Sequence, residues 1–286
     1  MAGSYRRLEM KESEIPRAVA AGRSVARTLD LTVDEAVVLH NSNRLAVRLR
    51  PCEVLARVAH VEAQDGAELE VRLAHRLGEI GSPVAELEPL VEPRVYLHGG
   101  FVVTLWTHYE SVPAPEIPPS EYAQALKRLH AGMREVDVTV PHFTDRVASA
   151  ESLISDPEAT PNLPRQDREL LMDTLGSLRD AVLDRGAGEQ LLHGEPHPGN
   201  LLSTERGLLF VDLESCCRGP VEFDIAHAPE QVGQIYQGAD PDQLRDCRVL
   251  ALAVATTWRW DRNDQLPNGR QLGVAWLTQI RAVVDG

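Results

Sequence analysis

The chain has 286 residues, 43% of them hydrophobic, enough to bury one large core or two modest ones. Its formal net charge of -14, from 29 basic and 43 acidic residues, opposes phosphate backbones and argues against a nucleic-acid partner. No apolar run approaches the roughly 18 residues of a membrane helix, and the N-terminal MAGSYRRLEMKESE lacks the apolar stretch of a secretion signal. Four cysteines without Cys-x-x-Cys spacing form neither a disulfide framework nor a zinc knuckle, so a reduced cytoplasm is the expected compartment.

Ile15, Val19, Gly22, Val25 and Leu29 recur at helical spacing, with Ser13 as a cap and Pro16 in the first turn. Val37 to Leu39 and Leu45 to Leu49 are strand-like, joined by the polar turn Asn41-Ser42-Asn43. Pro51 opens the next predicted strand, Glu53 to Val58, which carries Arg57 among Val54, Leu55, Ala56 and Val58. A lone base there stands out, because an unpaired charge in a core is costly. A helix is predicted from Gly66 to Ile80. Its apolar stripe holds Glu70 with Ala67, Leu73, Ala74 and Leu77, whereas Glu68 faces out with Arg72, His75 and Arg76.

Val95 to Leu97, the Gly99-Gly100 turn and Phe101 to Leu105 read as a second hairpin running into Trp106 and Thr107. The proline-rich Val112 to Ser120 marks a boundary, dividing the chain into residues 1–106 and 107–286. Tyr122, Ala125, Leu126, Leu129, His130 and Met133 then form a helix face, with His130 as a packed core histidine. Residues 144–186 give two more helices, the second with Leu171, Leu175, Leu178 and Val182 in register and a stop at Gly186. Residues 222–286 read as helical and carry Trp258, Trp260 and Trp276 among the acids Glu230, Asp261 and Asp264.

The chemistry concentrates between Leu191 and Phe223, in LLHGEPHPGNLLSTERGLLFVDLESCCRGPVEF. A polar loop there holds His193, Glu195, His197 and Asn200, and the apolar run LLFVDL leads up to a single acid, Asp212. One acid that orients a hydroxyl, with an amide oxygen and a second acid for magnesium, is the apparatus of phosphoryl transfer. The order His193, Gly194, Glu195, His197, Asn200, then Asp212, then Gly219, Pro220, Asp224, Ile225 and Ala226 resembles the aminoglycoside phosphotransferase and choline kinase superfamily. That family's pattern is His-Gly-Asp-x-His-x-x-Asn, so Glu195 stands where its catalytic Asp does.

The resemblance implies an α+β, bilobal protein-kinase-like fold. An N-terminal antiparallel sheet lobe with one key helix binds nucleotide, and a mostly helical C-terminal lobe carries catalysis and the acceptor. It implies Mg2+ with ATP or GTP as donor, and a small hydroxylated acceptor such as an aminoglycoside or another amino sugar. Glu195 takes the catalytic position, Asn200 and Asp212 the metal positions, and Arg57 paired with Glu70 the phosphate-placing position. Backbone groups of Leu105, Trp106 and Thr107 would bind the base, and His193, His197 and Asp224 would support the loop. Glu214, Glu230, Trp258 and Asp261 are acceptor candidates, since acids and a Trp face suit a cation.

Plainer roles compete: Arg57 as a surface residue of an edge strand, Glu70 at a stripe edge, and the C-terminal acids on solvated helix faces. Two other functions compete as well. His193, Glu195 and His197 alternate as metal ligands on a strand would, which describes a hydrolase, although Pro196 and Pro198 disfavour a strand. Glu195 in place of Asp also describes a nucleotide-binding pseudokinase without transfer activity.

Overall fold

The computed structural model describes residues 10–42, 44–110 and 117–284. Asn43 of the predicted turn and residues 112–116 of the proline-rich stretch lie outside them. The described chain forms two compact units. One runs to Val138 and takes in Asn200–Ser215; the other holds Thr139–Gly199 and the chain from Cys216 onward.

In the first unit, strands β1 (Val33–Asn41), β2 (Leu45–Pro51), β3 (Val54–His60), β4 (Tyr96–His98) and β5 (Phe101–Thr107) make a five-stranded antiparallel sheet. Its order is β1-β2-β3-β5-β4. Alternation explains the burial: Leu45, Val47 and Leu49 of β2 and Val54, Ala56 and Val58 of β3 point into one core. Helix α1 (Ile15–Thr28) covers that core with Ala18, Ala21, Val25 and Ala26. Gly22 packs directly over β3, where a Cβ would lie in van der Waals contact with Ala56 at 3.4 Å. Glu14, not Ser13, occupies the N-cap and makes no side-chain cap bond; Pro16 in the first turn sets the entry. Pro51 closes β2 and does not open β3, because a residue without an N–H ends a ladder. Helix α2 (Gln64–Glu79) buries Ala67, Glu70, Leu73, Ala74 and Leu77, and α3 (Pro119–Glu135) buries His130 beside Leu126 and Met133.

The other unit is mostly helical. Helices α4 (Phe143–Ser155) and α5 (Arg165–Asp184) precede the short strand β6 (Gln190–Leu192). The hairpin β7 (Leu201–Thr204) and β8 (Gly207–Phe210) then belongs to the first unit. The chain returns through β9 (Cys217–Gly219), paired with β6, to α6 (Val221–Ile225), α7 (Glu230–Ile235), α8 (Pro241–Trp258) and α9 (Gly269–Val284). Phe143, Ile154, Leu175, Phe223, Leu250 and Ile280 are fully buried in one core, each stabilising by roughly 1.5–3 kcal/mol. Gly219 is sterically required there, since a Cβ would lie 2.9 Å from the Phe143 ring. No described helix is long and apolar enough to cross a membrane.

Candidate active site

In the helical unit, the chain leaves β6 into a loop that one carboxylate organises. Asp224 on α6 is fully buried and accepts the His193 N–H at 2.8 Å and the Gly194 N–H at 2.7 Å. Gly194 has φ +87°, a conformation that side chains resist, so the turn requires glycine. The loop also braces itself. His193 Nδ1 accepts the Glu195 N–H at 3.4 Å, the Glu195 carbonyl accepts the His197 N–H at 2.8 Å, and His197 Nδ1 accepts the Gly199 N–H at 3.0 Å. Asp224→Asn would turn an amide NH2 toward one of these donors. It should destabilise the protein by about 3 kcal/mol, the scale of charge-assisted bonds to backbone. Urea unfolding checks this, and a loss under about 1 kcal/mol would contradict the role.

The Glu195 carboxylate, about one-third exposed, meets Arg146 Nη1 at 3.2 Å. Arg146 is buried on α4, and the same nitrogen donates to the Gly194 carbonyl at 3.0 Å. His227 lies near this group, and burial pushes its pKa down to about 4 although Glu195 opposes the shift. The imidazole is therefore neutral at pH 7, and its buried Nε2 has no hydrogen-bond partner among the described residues.

In the first unit, a second cluster spans the sheet, α2 and the chain after β8. Arg57 on β3 donates to Glu70 Oε1, and its Nη2 donates to Asp212 Oδ1 at 2.8 Å. Arg44, just before β2, donates to Glu70 Oε2 and, through Nη2, to Glu214 at 2.6 Å. Burial disfavours the Arg57 charge, but Glu70, Asp212 and Glu214 outweigh it and hold the guanidinium protonated above its ordinary value. Burial raises the Glu70 carboxyl pKa; Arg44 and then Arg57, with a guanidinium on each oxygen, oppose this. Arg57 also lies 5.7 Å from the Trp106 ring centre.

Asp212 does not end a strand. β8 stops at Phe210, and Asp212 follows at φ +68° with its side chain about one-fifth exposed, a left-handed conformation that short polar residues tolerate best. The hairpin register explains its neighbour. Leu201 pairs with Phe210, and the Asn200 carbonyl accepts the Val211 N–H at 3.0 Å, which sets Asn200 across from the residue before Asp212. One amide oxygen and one carboxylate suit magnesium, which keeps waters and phosphate oxygens as further ligands. No group of three His, Cys, Asp or Glu side chains among the described residues could hold a metal ion. The competing hydrolase centre of His193, Glu195 and His197 is thus not formed, and both imidazole Nδ1 atoms serve the loop backbone.

A model of the phosphotransferase enzyme family matches residues 37–262, well over half of the chain. The chain belongs to that phosphotransferase family. No curated protein matches its sequence. Solved structures share its kinase-like fold. An amicoumacin kinase in complex with AMP-PNP and Ca2+ superposes with a TM-score of 0.71 at 10% identity, covering 96% of each chain. The GDP complex of aminoglycoside 2'-phosphotransferase-IIIa gives 0.68 at 12% identity, over 96% of this chain and 100% of that one. A choline kinase from Streptococcus pneumoniae gives 0.64 at 14% identity, over 90% and 98%.

The remaining predicted residues of this phosphotransferase are dispersed. At Leu105, Trp106 and Thr107 the sheet edge is already used: the Leu105 carbonyl accepts the Glu88 N–H, and the Thr107 N–H donates to the Glu86 carbonyl, both at 3.0 Å. Glu214 is held by Arg44. Glu230 starts α7. Trp258 ends α8, whose first turn adjoins Glu222 through the Asp240 N–H at 2.9 Å. Asp261, just beyond, lines a cavity of about 240 Å³ with Arg259, Arg262 and Asp264. The 18 residues of α8 span about 27 Å, so Trp258 and Asp261 stand far from the Asp224 end of that unit. The sequence reading missed Arg44, Arg146 and His227. Arg146 carried a usable signal, since it falls between Phe143 and Ala150 on the buried face of α4.

Proposed function

We propose that this phosphotransferase moves the γ-phosphate of ATP or GTP to a hydroxyl of a small molecule, with magnesium. An aminoglycoside or another amino sugar is the acceptor class we favour. The observation carrying the reading is the β7–β8 hairpin, which sets Asn200 across from Val211 while Arg57 grips Asp212 and Glu70. Asn200 and Asp212 would hold the metal, whose charge would neutralise the nucleotide phosphates. Arg57, kept in place by Glu70, would place those phosphates through its planar fork. We assign nucleotide binding to residues 1–106, the chain just after Thr107, Asn200 and Asp212, and the acceptor to the helices that follow.

In the proposed reaction, Glu195 orients the acceptor hydroxyl. The hydroxyl oxygen bonds to the γ-phosphorus as the bond from that phosphorus to the β–γ bridging oxygen breaks. The hydroxyl proton passes late to the Glu195 carboxylate, and nucleoside diphosphate leaves. His193, His197 and Asp224 support the loop that carries Glu195. Because the Leu105 and Thr107 groups are engaged by the Glu86–Glu88 segment, we move the base contacts to the chain following Thr107. For the acceptor we keep Glu230 and set aside Glu214, Trp258 and Asp261 for the reasons of position given above.

One observation favours a second reading, a nucleotide-binding pseudokinase: the Glu195 carboxylate already meets Arg146 at 3.2 Å. The two readings separate experimentally. Mg-ATP or Mg-GTP should raise the melting temperature, and a panel of hydroxylated amines with labelled nucleotide should yield one phosphorylated product. Binding without transfer to any acceptor, with turnover appearing in Glu195→Asp, would favour the pseudokinase. An unchanged melting temperature would sink both.

A further inference from the structure

We propose that the cavity beside the loop joining α8 to α9 is a binding site for a small oxyanion, a phosphate or carboxylate group held by Arg262 and Arg270. The site is independent of the nucleotide reading. It lies wholly within the helical unit, beyond the end of α8 that is remote from Asp224. The cavity of about 240 Å³ is lined by Arg259, Arg262, Arg270, Asp261, Asp264 and Asn162, among others. Three arginines gathered there stand out in a chain with a net charge of -14. The two acids do not account for them. Asp264 pairs with Arg259 at 3.0 Å, both side chains 13% exposed, and its carboxylate lies against Gly269, where a Cβ would collide with it. Asp261 Oδ1 accepts the Asn263 backbone N–H at 2.8 Å and the Asn263 side-chain amide at 3.0 Å. Arg262 and Arg270 make no ion pair among the described residues.

The two arginines are presented from fixed backbone. The Arg262 N–H donates to the Ala159 carbonyl at 2.8 Å, and its guanidinium reaches only the Glu158 carbonyl, at 3.5 Å. The Arg270 guanidinium lies 4.1 Å from the Trp260 ring centre, a stacking that pre-sets its planar fork for two oxygens of one anion. Trp260 is itself held by packing: it is 4% exposed, and Gly273 of α9 leaves room for its indole, since a Cβ there would lie 3.1 Å from Nε1. Arg270 Nη1 is buried with no hydrogen-bond partner among the described residues. A buried donor without an acceptor is costly, and the cavity that the same side chain lines is where an acceptor can enter. The volume lies below the roughly 300–1,000 Å³ of pockets for larger ligands, so it suits a phosphate or a short carboxylic acid and not a nucleotide.

The test titrates inorganic phosphate and, separately, acetate into the full-length protein at constant ionic strength, with dissociation constants from calorimetry. One of the two should bind saturably. Tighter phosphate assigns the site to phosphate groups, and tighter acetate to carboxylates. Arg270→Met should weaken the bound probe by about tenfold or more, the scale of one charge-assisted hydrogen bond, and Arg262→Met should act in the same direction. The ligand-free melting temperature of both variants should stay near wild type, because neither arginine has an ion pair to lose and Met keeps an apolar group over Trp260. Arg270→Lys should recover only part of the affinity, since it restores the charge without the fork. If Arg270→Met does not fold, Arg270→Gln takes its place with the same expected loss. No saturable binding of either probe, or binding that survives both substitutions and so sits elsewhere, would overturn the proposal.

Discussion

Glu195→Gln should lower phosphoryl transfer by about 10²–10⁴-fold, the range for a positioned general base, and leave the nucleotide-induced rise in melting temperature intact. The amide is nearly the same shape, and its oxygen can still accept from Arg146, which lies 3.2 Å from the native carboxylate. Arg146 stays bonded to the Gly194 carbonyl, and Asp224 still holds the loop backbone. The change therefore removes basicity without removing the fold. Single-turnover measurement with labelled nucleotide reads the chemical step directly. A Gln variant as fast as wild type would show that Glu195 takes no proton. Glu195→Asp asks a different question, because it shortens the reach to Arg146 by one methylene. A misplacement near 1 Å can change rate by around a hundredfold, so its sign reports whether the pocket is built around the longer acid.

Glu70→Ala should be the most destabilising single change in the sheet unit, at about 3–5 kcal/mol, the range for removing one partner of a buried ion pair. Arg44 and Arg57 would then face each other across the space that the carboxylate filled, each with fewer compensating acids. Asp212 and Glu214 remain, but each is about one-fifth exposed and reached through the other nitrogen of its arginine. Chemical denaturation followed by fluorescence measures the loss. A value near the ~1 kcal/mol ceiling of surface pairs would mean that water enters the cluster and that Glu70 is not the hub. Glu70→Gln should lie between, since an amide fills the space but can accept from only one guanidinium well.

Much of this architecture could be read from residue patterns, and the exceptions share a cause. Period-two runs located the sheet, and helical spacing located α1 and α2, because one buried face repeats along each element. Arg57 and Glu70 were legible for the same reason: a charge on an apolar face implies a partner, and each is the other's. Arg146 obeyed that rule on α4 and could have been found by it. Arg44 could not. It sits in a turn, where charge is ordinary, and its partners lie 26 and 170 residues away in the chain. The positive φ of Asp212 was equally hidden, since the apolar run before it continues the strand pattern by one residue beyond the ladder. The base-contact expectation failed to see that the Glu86–Glu88 segment would close the edge of β5, because such pairing depends on tertiary placement.

If Asp212 takes the metal and Arg57 the phosphates as proposed, the bond between them makes the protein resistant to half-loading. A divalent cation arriving by itself must evict a guanidinium that has nowhere better to go. A nucleotide arriving by itself must draw that guanidinium away and expose a bare carboxylate close to its own negative charge. Arriving together, each removes the other's obstacle, and by reciprocity each must tighten the other's hold by the same factor. A catalyst wired in this way would ignore free magnesium and metal-free nucleotide alike, and respond to their complex.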